Sequence, residues 1–128
     1  MKTLLHTLAL SLALVSSNAH AHGDAKPQHG GILQVVNDLQ FELVPPPKPG
    51  DAASLYVSDH GKPMDASKLS GKLTVLQGTQ TSEAPLKPAG ARHLEAAGLS
   101  LAPKAKVVAT VTGLPAPGTS ATVRFSVK

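Results

Sequence analysis

The side chains of this chain with the clearest chemical reach are its histidines. Six occur among 128 residues, His6, His20, His22, His29, His60 and His93, and there is no cysteine. Without thiols there is no disulfide framework, no Cys-based zinc site, no iron–sulfur cluster and no thiol nucleophile. Any metal site must therefore use nitrogen and oxygen donors, with at most a methionine sulfur. Neutral imidazole is a common ligand for zinc and copper.

Which histidines remain depends on processing of the N-terminus. Met1-Lys2-Thr3 is short and positive, Leu4 to Val15 is largely apolar, and Ser16 to Ala21 is rich in small residues. This pattern predicts a secretory signal peptide over residues 1–21 and, after its removal, a periplasmic protein. The apolar run of about 12 residues is too short for a membrane span, which needs roughly 20. No later segment reads as a span.

Cleavage after Ala21 would leave His22 as the first residue. Its α-amine and imidazole can chelate one metal, and nitrogens in a tetragonal arrangement suit Cu(II). Cleavage after Ala19 would leave His20-Ala21-His22. There an amine, two deprotonated amides and a third-position imidazole offer a square-planar set for Cu(II) or Ni(II). His29 follows seven residues after His22, in Pro27-Gln28-His29-Gly30-Gly31. Seven residues span at most roughly 23–25 Å, so the terminus can fold back onto His29. Asp24 adds an oxygen donor, and His60, beside Asp59 and Gly61 in a turn, completes a site if its loop meets the N-terminal end of the fold. The predicted metal set is His22, Asp24, His29 and His60, for Cu(II) first and Zn(II), Co(II) or Ni(II) after it. His93 alternates with Glu95 and reads as a surface residue of a strand, and Met64 reads as core.

The elements that must position these residues are strands. Eleven prolines argue against a helix bundle, because proline removes an amide donor and clashes inside a helix. Apolar and polar residues alternate in Leu39–Leu43, Ala53–Ser58, Lys72–Val75, Lys106–Thr112 and Ser120–Lys128, with shorter candidates at Ile32–Val36, Glu83–Leu86 and Arg92–Ala96. Turn signals separate them at Asn37-Asp38, Pro45 to Gly50, Asp59-His60-Gly61, Gly78, Pro88-Ala89-Gly90, Gly98 and Pro115 to Gly118. The expected fold is an all-β, antiparallel, immunoglobulin-like β-sandwich of seven or eight short strands over residues 31–128, following a flexible His-containing segment over 22–30. The Cys-Trp-Cys signature is absent, so the likeness is to the architecture. One helical turn is expected near Asp65 to Leu69.

Three stretches resemble a known module in their order and wording: His29-Gly30-Gly31, Asp38-Leu39-Gln40-Phe41-Glu42-Leu43, and Leu55-Tyr56-Val57-Ser58-Asp59-His60-Gly61-Lys62-Pro63. Together they are similar to the small periplasmic β-domain near the N-terminus of adaptor subunits of heavy-metal efflux pumps of the resistance–nodulation–division type. The hairpin, lipoyl and barrel parts of an adaptor are absent. The resemblance implies a part in heavy-metal handling alongside an efflux system, with His29 as the carried-over candidate for a metal role.

No nucleophile elbow, zinc-protease helix, phosphate-binding loop or dinucleotide fingerprint occurs, and the carboxylates are dispersed, so no enzyme is expected. The net charge of +4 is scattered, which disfavours nucleic acid as a partner. Two functions are expected from these features. One is a periplasmic metal-binding accessory protein, most readily for copper. The other is an exported interaction domain whose sheet edges pair with another protein without metal.

Overall fold

The computed structural model describes residues 25–115 and 119–128. The predicted signal peptide, His22 and Asp24 lie outside the described residues. Among the described residues nine strands follow one another: β1 (Ile32–Val36), β2 (Leu39–Val44), β3 (Ala53–Asp59), β4 (Lys62–Pro63), β5 (Ser70–Gln77), β6 (Gln80–Ala89), β7 (His93–Ala96), β8 (Lys106–Thr112) and β9 (Ser120–Ser126). Among the described residues there is no α-helix; a single 3-10 turn, Ala66–Lys68, is capped by the Asp65 carboxylate, which accepts from the Ser67 backbone N–H. No helix among them is long and apolar enough to cross a membrane.

All the pairings are antiparallel, and the strand order is β1-β2-β3-β7-β6-β5-β8-β9, with the short β4 added beside β3. The all-β antiparallel architecture expected from the alternation is present. Its connectivity is its own. An immunoglobulin domain sends its third strand to the opposite sheet, whereas here β1, β2 and β3 are neighbours. Strand β6 joins the two halves. Its first part, through Leu86, pairs with β5, and Lys87 to Ala89 pair with β7. The ends of the order, β1 and β9, approach one another, so the sheet nearly closes into a barrel.

Closure follows from the alternation. The inward side chains of β2, β3 and β7 form the row Leu43–Leu55–Leu94, and those of β5, β8 and β9 form Leu73–Ala109–Val123 and Val75–Val107–Phe125. These residues are almost completely buried and belong to one core. Two-residue turns set the registers. Asn37-Asp38 joins β1 to β2 and His60-Gly61 joins β3 to β4, with positive φ at both residues of each pair. That is the type I′ geometry whose twist matches the flanking strands, and Asn, Asp and Gly adopt it readily.

Strand β2 departs from simple alternation. Phe41, Glu42 and Leu43 are all buried. Phe41 and Leu43 face the core, while Glu42 points to the outer face and is covered there by residues from before β1.

The core assignment makes a direct prediction. Leu55→Ala, at a fully buried position, should destabilise the protein by about 2–5 kcal/mol. Leu76→Ala, at an exposed one, should change stability by less than about 0.5 kcal/mol. Urea unfolding checks both through the midpoint, with the slope unchanged.

Candidate functional site

The outer face of β1, β2, β3 and β7 carries a cross-strand row of large side chains. Leu33 pairs across to Glu42, and Glu42 to Tyr56. His93 packs beside Tyr56 from β7, with ring centroids 4.9 Å apart. On the other side, the His29 ring lies flat on Tyr56, with centroids 3.6 Å apart and planes 7° from parallel. Three rings from the segment before β1, from β3 and from β7 are thus packed together.

Glu42 anchors this arrangement. Its Oε1 accepts from the Gln28 backbone N–H at 2.9 Å and from His29 Nδ1 at 3.0 Å. Its Oε2 accepts from the backbone N–H groups of His29 and Gly31, each at 2.8 Å. The side chain is only 4% exposed. Burial pushes the carboxyl pKa up, but the N–H of Gly31, the imidazole of His29 and the N–H groups of Gln28 and His29 outweigh it. The net result is a pKa below the ordinary 4.5. Glycine is required at position 31, where a Cβ would collide with the carbonyl oxygen of Leu43. The backbone can come close enough to donate to Glu42 only without a side chain there.

This anchoring decides the chemistry of His29. A carboxylate only accepts, so Nδ1 donates to it, and in the neutral ring the lone pair is on Nε2. The side chain is 43% exposed. Histidines that ligate metals are commonly held in this way, by a carboxylate on the ring nitrogen away from the metal.

His93 was expected on the surface, and the structure corrects this. Its side chain is 19% exposed, Nε2 bonds to Glu95 Oε1 at 3.0 Å, and Nδ1 is buried without a hydrogen-bond partner among the described residues. Strand alternation correctly puts His93 and Glu95 on one face. The neighbours that cover that face come from β3 and from the segment before β1, which alternation cannot show.

The other predicted ligands are placed differently. His60 stands at the tip of the β3–β4 hairpin with its side chain 68% exposed, and its Nδ1 meets Oδ1 of the adjacent Asp59. His29 and His93 line a groove of about 770 Å³ on the outer face, and His60 is not among its lining residues. Met64 lines the groove and packs against the core. Among the described residues, no group of three or more His, Cys, Asp or Glu side chains could hold a metal ion. Of the predicted set, His29 lines the groove, His60 is not among its lining residues although its neighbour Gly61 is, and His22 and Asp24 lie outside the described residues.

Compared with known proteins, the chain matches no family model, no curated protein and no solved structure. The likeness to efflux-adaptor domains rests on the quoted stretches alone.

Glu42→Gln replaces one acceptor oxygen with an amide that faces backbone N–H groups. It should cost about 2–4 kcal/mol at neutral pH, read as a fall in the urea midpoint. The pH dependence has a fixed sign. Because the folded-state pKa is lowered, the folded state binds fewer protons, and the Glu42 contribution is complete above the unfolded-state value. It is lost as pH falls from about 5 through the lowered value. The stability gap between the wild type and Glu42→Gln should therefore narrow on acidification.

Proposed function

We propose that this protein is an exported metal-binding accessory protein that carries copper, as Cu(II), in the periplasm. The observation that carries the reading is the anchored His29. Glu42 holds Nδ1 and Tyr56 holds the ring plane, so Nε2 of this partly exposed ring is oriented before any ligand arrives. A preoriented imidazole loses little freedom on coordination.

One imidazole does not make a tight site. The sequence before His29 supplies the remaining donors in this reading: the amine and imidazole of a processed N-terminus at His22, with Asp24 between. A site assembled from one fixed ligand and a short tail suits a carrier, because ligands on a tail can leave one at a time. Delivery to or from a heavy-metal efflux system is the role that the sequence resemblance implies.

The test is titration of correctly processed protein with Cu(II), and with Zn(II), Co(II) and Ni(II) for comparison. His29→Ala and His22→Ala should each weaken Cu(II) binding by at least about tenfold. His60→Ala should leave it unchanged. Binding no tighter than millimolar, or unaltered in the His22 and His29 variants, overturns the reading.

A further inference from the structure

We propose that β1 pairs edge to edge with β1 of a second copy of this chain, antiparallel about a two-fold axis at Gln34. The inference stands apart from the metal reading and rests on the edge of the sheet.

Strand β1 ends the strand order and pairs on one side only, with β2. The two-residue turn between them makes Val36 and Leu39 a hydrogen-bonded pair, and bonding then alternates along the ladder. Val36, Gln34 and Ile32 therefore bond to β2, while the N–H and C=O groups of Leu33 and Val35 point away from it. A cleft of about 640 Å³ runs beside this edge, lined by residues 31–35 together with Ala25, Pro27 and Lys128. Strand β9 approaches β1 without pairing with it. Gln34 lies on the core-facing side of β1, opposite Phe41, yet it is exposed, so β9 does not cover the middle of the strand.

The other free edges are guarded. Strand β4 is Lys62 and Pro63. The part of β6 that β7 leaves unpaired carries Glu83 and Pro85, and β9 carries Arg124. Charges and prolines on an edge oppose pairing with another chain. Strand β1, Ile-Leu-Gln-Val-Val, has neither, and its Val35 is 40% exposed.

The pattern of this edge selects a copy of itself. Antiparallel pairing centred on Gln34 sets Leu33 opposite Val35 of the second copy, and Val35 opposite its Leu33. Each of these pairs exchanges two backbone hydrogen bonds, so the outward groups of both edges are matched. It also packs Leu33 and Val35 against each other across the junction, an apolar contact on one face. Charge agrees with this orientation. Every pairing along the strand order is antiparallel, so β9 runs opposite to β1 and the chain end with Lys128 lies by the start of β1. The two-fold then keeps the two Lys128 side chains at opposite ends of the junction. A contact between two five-residue strands is smaller than the roughly 1,600 Å² of a stable complex, so the dimer dissociates on dilution.

The test uses the processed full chain after chelator treatment. The sequence has no cysteine, so a single introduced one reports only its own neighbours. Gln34 meets its counterpart in a non-hydrogen-bonded pair, where Cα atoms are about 4.5 Å apart and within disulfide reach. Under mild oxidation, Gln34→Cys should form a covalent dimer at least about tenfold faster than Thr122→Cys, at an exposed position of β9. Adding Val35→Lys to Gln34→Cys should remove that advantage. In sedimentation equilibrium the wild-type mass should rise from monomer toward dimer with concentration, and Val35→Lys should stay monomeric, with its unfolding midpoint confirming that it folds. A wild type that is monomeric up to about 1 mM, equal cross-linking of the two cysteine variants, or a dimer that survives Val35→Lys overturns the proposal. Capture of a different protein by Gln34→Cys in place of a second copy overturns it as well. Metal takes no part in these measurements, so their failure leaves the metal reading standing, and a failed Cu(II) titration leaves this one.

Discussion

A carboxylate removed from water must be given donors, and the structure around Glu42 is the consequence of that requirement. The side chain sits on the outer face of β2, where it cannot remain both buried and ionised unless something answers its lone pairs. The segment Gln28 to Gly31 does so with three backbone N–H groups and one imidazole. These contacts tie the chain before β1 to the middle of the sheet. They also explain the Gly31 position and the orientation of His29.

The strands beneath provide a rigid platform for that contact. Inward rows of leucine, valine and phenylalanine fill one core between two halves joined by β6. The registers are set by hairpin turns whose residues accept positive φ. A platform of this kind holds the outer faces of β2, β3 and β7 at constant spacing. Glu42, Tyr56 and His93 are neighbours because of that spacing.

The two histidines beside Tyr56 are held through opposite ring nitrogens. Each is bonded to a carboxylate through one ring nitrogen, His29 through Nδ1 and His93 through Nε2. The opposite nitrogen is then the available one. For His29 it belongs to a ring nearly half exposed. For His93 it is buried and without a hydrogen-bond partner among the described residues.

The sequence by itself determined the strands, because period-two alternation and the Gly, Pro, Asn and Asp turns are local properties of the chain. Lys106–Thr112 and Ile32–Val36 are strands with the limits that their patterns indicate. The absence of cysteine restricted the donor chemistry in the same direct way, and His29 stood out through the two glycines after it. The tertiary structure alone decided what shares a face. Glu42 and Tyr56 lie 14 positions apart and become neighbours only through the β2–β3 register, and His93 joins them because β7 returns to pair with β3. Alternation tells whether a side chain points in or out; it does not tell which strand lies alongside or what crosses above. The burial of Glu42 comes from the segment Gln28 to Gly31 that crosses above it, and the partial burial of His93 from the pairing that brings it beside Tyr56.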